Sequence, residues 1–265
     1  MKLLTCFKLC PDMDKLRQQD FEISGGKGLE TSFLPNMINC FDESGLEFGI
    51  RLSEKSEGLE PNIEKTAFTI GGDASEMYLR TLKALGYEHC VLVKKDEDEF
   101  RYSPCMVAQT IAEYVGENPQ DIIVMGKEAP NGNNSATAQL VSVLTGRPLI
   151  SSVIDVKFCD DGTLTVTVTN DGDVYEQTVA LPVVLSIGNA VISKLRVPTL
   201  KQRMKCKDLP LEHFKPAETS CAMFPEPMRA VIPDRRRGGY LSPYSGSEAV
   251  DDIQGKFLKG RLGEA

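Results

Sequence analysis

The chain has 265 residues, 41% hydrophobic and 26% charged, with a formal net charge of −8. This composition suits a globular protein of one large domain or two small ones and excludes a disordered chain. The acidic balance argues against a general nucleic-acid binder, because phosphate affinity comes from clustered Lys and Arg. No apolar run reaches the about 18 residues of a membrane helix, so no membrane insertion is expected. The start has no long apolar stretch and no small-residue cleavage site, so no export signal is expected either. The eight cysteines are spread singly with no CxxC pair. They read as reduced thiols of a cytoplasmic protein rather than a zinc ribbon or a redox pair.

Residues 3–7 form the first apolar run and predict a buried strand. Residues 19–33 are polar and Gly-rich, with Gly25-Gly26 as a turn, and read as a hairpin. In Asn39-Cys40-Phe41-Asp42-Glu43, Asp42 is a candidate helix N-cap, followed by Leu46 and Ile50 at helical spacing. Residues 66–70 predict a second strand, and a helix then starts near Ala74 with Tyr78, Leu82 and Leu85 on one face and Gly86 as its stop. Residues 90–93 are a third strand, 103–115 a helix with Val107, Ile111 and Tyr114 on one face, and 121–125 a fourth strand. A Gly/Asn-rich loop at 126–135 precedes a helix with Thr137, Leu140, Val141 and Leu144 on one side, ended by Gly146. Residues 183–187 are a further strand.

Strands alternating with helices predict an α/β fold: a three-layer, doubly wound parallel sheet of Rossmann-like type. Within residues 150–181 the period changes to two, and Thr163–Thr169, the turn Asn170-Asp171-Gly172 and residues 174–181 read as an inserted antiparallel hairpin. After residue 195 the chain becomes basic and Pro-punctuated, with little periodicity until Val250, Ile253 and Phe257 mark one more helical face. Residues 1–195 therefore read as the α/β domain. The remainder reads as an arm that lies across something else.

Ligands of open α/β sheets bind at the carboxyl ends of strands. Four loops qualify: 8–12, 71–75, 126–135 and 188–191. The third is the strongest, because backbone N–H groups of a Gly/Asn loop beside a helix N-terminus favour an anion such as phosphate. Ser135 is placed both to cap that helix and to donate its hydroxyl. An ordinary polar loop with an N-cap explains the same residues, and neither GxGxxG nor GxxxxGK[ST] is present. Asp121, Asp160, Asp161, Asp171 and Asp173 fit turns better than an acid/base pair. Cys6 and Cys40, without a neighbouring His in sequence, read as small packed thiols. Arg235-Arg236-Arg237 reads as a solvated run. Nothing assembles a nucleophile, a base and an oxyanion hole, so no catalytic residue is assigned.

The ordered motifs carry a resemblance. Lys8 with a following Pro-Asp, Asn39-Cys40-Phe41-Asp42-Glu43 with Leu46-Glu47, Leu82-Lys83-Ala84-Leu85-Gly86, Gly126-Lys127-Glu128-Ala129 with Asn131-Gly132-Asn133 and Thr137-Ala138-Gln139, Leu181-Pro182-Val183-Val184, and Arg196-x-Pro198-Thr199-Leu200 with Met204-Lys205 follow one another in a fixed order. Over residues 1–207 and 233–262 the chain resembles the β subunit of electron transfer flavoproteins. The resemblance implies a heterodimer with an α subunit that carries a redox-active FAD, and an AMP or a second FAD in the β subunit. Electrons would pass from flavin dehydrogenases, of acyl-CoA or similar type, to a downstream acceptor. By position it implies nucleotide contacts at Cys6, Asn39, Cys40, Phe41, Asp42, Gly71, Gly126, Lys127, Asn131, Gly132, Asn133, Asn134, Ser135, Ala136 and Thr137. It further implies a partner-recognition loop at 196–207 with Leu200 as its anchor, and a C-terminal arm at 208–265 docked on the α subunit. Two loop acids of the family are Asn131 and Asn133 here, and its Asn-Pro is Asn39-Cys40. Those departures open an alternative, a stand-alone adenine-nucleotide binder of the ATP-sensing kind on the same sheet.

Overall fold

The structure is a computed structural model of the chain. It describes residues 1–17, 20, 23–24, 28–56, 62–95, 100, 103–130, 133–159, 162–188, 193–217 and 239–259. The described strands are β1 (Lys2–Cys6), β2 (Leu9–Pro11), β3 (Ile23–Ser24), β4 (Gly28–Leu29), β5 (Asn36–Ile38), β6 (Glu64–Gly71), β7 (His89–Lys94), β8 (Ile122–Gly126), β9 (Leu149–Phe158), β10 (Leu164–Asn170), β11 (Asp173–Val179), β12 (Val183–Ile187) and β13 (Glu212–His213). The helices are α1 (Cys40–Lys55), α2 (Ala74–Ala84), α3 (Pro104–Glu117), α4 (Thr137–Thr145), α5 (Leu200–Cys206) and α6 (Ser247–Ile253).

Nine strands form one sheet in the order β11-β10-β9-β12-β8-β1-β6-β7-β13. The central pairs β12–β8, β8–β1, β1–β6 and β6–β7 are all parallel. Their apolar runs are continuous because helices cover both faces. Leu4, Ile123 and Val184 pack with Ala108, Ile111 and Val115 of α3 and Val141 of α4. On the other face Leu46 and Ile50 of α1 pack with Leu79 and Leu82 of α2. These layers are the predicted Rossmann-like α/β fold. The chain runs from β1 outward to β6 and β7, then returns to the other side of β1 as β8 and β12. The strand order therefore reverses between β1 and β8.

The expected hairpin is present as β10 and β11, with Leu164, Val166 and Val168 buried and the intervening threonines more exposed. It is joined by β9, antiparallel to β10 and parallel to β12, so the sheet itself continues into the antiparallel region. The short β3–β4 pair supplies the early hairpin; its turn lies outside the described residues.

Two local expectations are corrected. Asp42 does not cap α1: the N-cap lies three residues earlier, at Asn39, and Asp42 sits in the first turn. Leu144 is 47% exposed and not on the packed face of α4, where Ala138 and Val141 are buried instead. Gly146 does end α4, in the left-handed conformation (φ 65°) that glycine adopts without strain.

Residues 212–214 lie on the sheet edge, where β13 pairs with β7. The Phe214 N–H donates to the Leu92 carbonyl at 3.1 Å, and its ring meets Tyr114 edge-on at 5.3 Å. His89 ties this edge down, with Nδ1 2.9 Å from Glu212 Oε1 and Nε2 2.6 Å from Glu64 Oε1. Partial burial would lower the His89 pKa, but hydrogen bonds and charge from the two glutamates outweigh it and raise the pKa above its ordinary value. A raised folded-state pKa contributes stability that is fully present below the unfolded value of about 6.5 and is lost as pH rises through the folded value. The Phe214 amide, corrected for intrinsic exchange, is therefore expected to be better protected from hydrogen exchange at pH 6 than at pH 8. In His89→Gln that difference should vanish. Equal protection in the wild type at both pH values would contradict this account of the edge.

Candidate functional site

The crevice opens at the carboxyl ends of β1, β6 and β8, over the point where strand order reverses. That is where open α/β sheets place ligands. It is a half-open cleft with a cavity volume of about 140 Å³.

One wall is apolar. Phe68 and Ile70 come from β6, Met125 from β8, Val107 and Ile111 from α3, and Phe7 from the turn after β1. The rim is polar and is built by residues 126–129 and 133–137 of the loop after β8. Several hydrogen bonds shape that loop. The Lys127 N–H donates to the Ile187 carbonyl at 2.9 Å, Asn39 Nδ2 to the Glu128 carbonyl at 2.8 Å, and Ser135 Oγ to Glu128 Oε2 at 3.2 Å. Asn133 and Ser135 hold left-handed backbone conformations (φ 43° and 48°). For non-glycine residues these are uncommon and concentrate at functional sites.

Ser135 does not cap α4, contrary to the expectation. The N-cap is Ala136, whose own side chain cannot cap; its N–H donates to Asn134 Oδ1 at 3.0 Å, and the Ser135 hydroxyl is spent on Glu128. Among the described residues the N–H groups of Thr137 and Ala138, both in the crevice lining, have no side-chain acceptor. An anion is the complementary partner. Lys8 and Lys127 add positive charge to the rim, and Glu128 offers an acceptor for a hydroxyl or an amine. A flat apolar ring against Phe68 and Met125, joined to a phosphate at α4, fits this donor set.

Asp42 lies at the base, 7% exposed. Its Oδ2 accepts the Lys8 N–H and its Oδ1 the Gly126 N–H, each at 2.8 Å. Burial pushes its pKa up to about 6, against the opposing hydrogen bonds from Lys8, Asn39 and Gly126. Burial also pushes the Cys6 thiol far up and Cys10 to about 11, so neither is a ready thiolate. Cys6 is the packed thiol expected, whereas Cys40 is exposed at the first position of α1. Among the described residues no cluster of three or more His, Cys, Asp or Glu side chains is placed to hold a metal.

The profile of the electron transfer flavoprotein domain matches residues 29–219. The chain belongs to the electron transfer flavoprotein family. It is 28% identical to the electron transfer flavoprotein subunit beta of Bacillus subtilis over 180 residues, covering 68% of this chain and 67% of that protein. It is 30% identical to that of Syntrophomonas wolfei over 214 residues (80% and 78%). It is 28% identical to that of Dictyostelium discoideum over 224 residues (82% and 84%). The family domain thus spans the crevice elements from α1 through β12.

Of the residues singled out by the family resemblance, Cys6, Asn39, Asp42, Gly126, Lys127, Asn133, Asn134, Ser135, Ala136 and Thr137 meet around the crevice. Cys40, Phe41 and Gly71 are not part of its lining: Phe41 abuts Gly126 from behind, and Gly71 packs on Ser75. Asn131 and Gly132 lie outside the described residues. Leu200 is on α5, 76% exposed, with Val197 and Met204 also exposed near it in sequence. The sequence does not single out the apolar wall as part of the site. Val107 and Ile111 carry the same periodicity as core positions, so pattern alone could not separate a pocket wall from packing.

Proposed function

We propose that this chain is the β subunit of a heterodimeric electron transfer flavoprotein, holding an adenine nucleotide in the β1/β8 crevice and helping to pass electrons from flavin dehydrogenases to a downstream acceptor. The observation that carries the reading is the switch-point crevice itself, with an apolar wall on one side and the first turn of α4 on the other. An adenine ring would lie against Phe68, Ile70 and Met125, and its phosphate would face the N–H groups at Thr137 and Ala138 with Lys8 and Lys127 nearby. An AMP in this place supplies structure only, whereas an FAD supplies reversible electron uptake. The protein's own part is to bind, to orient and to exclude water.

The α subunit is the partner this reading calls for. Val250 and Ile253 of α6, and Phe257 beyond it, are 62%, 43% and 50% exposed. An apolar face left open on an arm suits a sister subunit better than solvent. Leu200, Val197 and Met204 suit docking to a dehydrogenase. No described helix is long and apolar enough to cross a membrane.

Co-expression with the α subunit tests the reading. A stable heterodimer with the visible spectrum of one flavin, and AMP in its acid extract, is expected for a structural nucleotide. Two flavins per heterodimer would assign FAD to the crevice. A heterodimer without flavin, no complex at all, or tight ATP binding to a stable homodimer would overturn the reading; the last outcome would favour the ATP-sensing alternative.

A further inference from the structure

We propose that Asp42 is the positioning residue of the crevice: its buried, ionised carboxylate accepts one backbone N–H from each lip and so holds the lips at the separation a nucleotide requires. The ligand named here rests on the reading above, but the clamp itself does not. Paired residues of β1 and β8 end at Thr5↔Val124. Beyond that pair the strands part, and the crevice lies between them. Lys8 and Gly126 are three and two residues past the last pair, and each turns its N–H onto the same carboxylate. The side chain of a helix inserted behind the sheet thus takes over where the strand ladder stops. Asn39 adds a second tie: its backbone N–H donates to the Lys8 carbonyl at 2.9 Å, and its side chain donates to the Glu128 carbonyl at 2.8 Å.

Only an ionised carboxylate suits two N–H donors at once. Protonation, or an amide in its place, converts one acceptor into a donor that faces another donor. A group serving the fold alone gains nothing from remaining charged, because burial is the main cause of its raised pKa. The sign follows from linkage. A folded-state pKa of about 6 above the ordinary 3.8 means that Asp42 makes the fold less stable as pH rises through this window. The clamp, however, works better as pH rises. The expected signature is therefore two opposed pH trends from one residue. The titratable and charged groups around it are Cys6 on β1, Lys8 after it, Cys10 on β2, Cys40 on α1, and Lys127 and Glu128 on the β8 loop. The raised Cys6 and Cys10 thiols stay neutral between pH 5 and pH 8.

The test uses the full chain and Asp42→Asn, with AMP as probe. The ratio of the two affinities cancels the ionisation of the AMP phosphate itself. Wild type is expected to bind AMP about tenfold more tightly than Asp42→Asn at pH 7, a lost charge-assisted hydrogen bond, and the ratio should fall towards one at pH 5. Over the same interval the stability of wild type relative to the variant should rise. A ratio that is flat, or that grows as pH falls, would overturn the proposal, since it would make Asp42 a bystander or a charge that repels the phosphate. If AMP binds neither form, the nucleotide reading fails and the clamp is still decided by the wild type alone. The Lys8 and Gly126 amide resonances must then titrate together with a midpoint near pH 6. Separate midpoints, or no titration, would sink it, and this measurement also serves should Asp42→Asn fail to fold.

Discussion

Gly126→Ala is expected to lower stability by about 3 kcal/mol, at the upper end of the usual cost of overpacking, and to abolish nucleotide binding. A methyl at Gly126 would lie 2.3 Å from Asp42 Oδ1 and 3.0 Å from both the Asp42 backbone nitrogen and Phe41 Cβ. A flexible surface side chain would swing away, but Asp42 is pinned through both oxygens and the other two atoms belong to the first turn of α1. The strand end and the helix must therefore separate. That breaks the Gly126–Asp42 bond and leaves a buried charge short of a partner. Gly72→Ala is the control. It is exposed, with nothing within 4 Å of an added methyl, so its stability should stay within about 0.5 kcal/mol of wild type. Urea unfolding midpoints of the two variants check this. If Gly126→Ala unfolds with its control, the β8 loop yields easily and the crevice has no fixed geometry to offer a ligand.

What the sequence discloses and what it hides divides on whether an interaction is local. Residues 121–125 and 183–187 read as buried strands because a strand covered on both faces needs an unbroken apolar run, and β8 and β12 lie within one residue of those limits. The loop after β8 was legible for a related reason: Gly and Asn advertise backbone geometry that other residues resist. Asp42 was legible as a helix-terminal acid and misread in its role. Asn39 and Asp42 are both good N-caps, and the first took the position because the acceptor of the second was needed by Lys8 and Gly126, 34 and 84 residues away. Ser135 failed as a cap in the same way, its hydroxyl drawn to Glu128 by a loop whose bends no propensity encodes. Glu47 shows the limit most clearly. A glutamate in mid-helix reads as solvent-facing, yet its side chain is 2% exposed, because its partner arrives from 149 residues further along.

That partner is Arg196, and Arg196→Ala is expected to destabilise the chain by about 2–3 kcal/mol, below the full cost of stranding a buried charge because Arg51 remains. The Arg196 backbone N–H donates to Glu47 Oε2 at 3.1 Å, while its Nε and Nη2 reach Glu47 Oε1 at 3.1 and 2.8 Å. Its guanidinium also holds both oxygens of Glu54. Arg51 Nε donates to Glu47 at 2.8 Å, and the Leu195 N–H to Glu43 Oε1 at 3.1 Å. The segment that leads into α5 is thereby strapped along α1, the same helix whose first turn closes the crevice. Burial would raise the Glu47 pKa, but hydrogen bonds from Arg196 and Arg51 outweigh it and hold the carboxyl below its usual range. A depressed folded-state pKa contributes stability that is present above the unfolded value and is lost as pH falls through the folded one. The gap between wild type and Arg196→Ala should accordingly be widest near neutrality and close in acid, and Arg196→Lys, which keeps the charge but not the fork, should fall between them. Leu200→Ala separates strap from surface. Leu200 is 76% exposed, so the variant's stability should match wild type while, on the proposed function, docking to a flavin dehydrogenase weakens. Arg196→Ala should weaken both. A variant at Arg196 as stable as wild type across this pH range would mean that the segment is held instead by the buried Pro198 and by Thr199 and Gln202, whose side chains cap each other's backbone N–H at the start of α5, and that the glutamates of α1 do not set where Leu200 is presented.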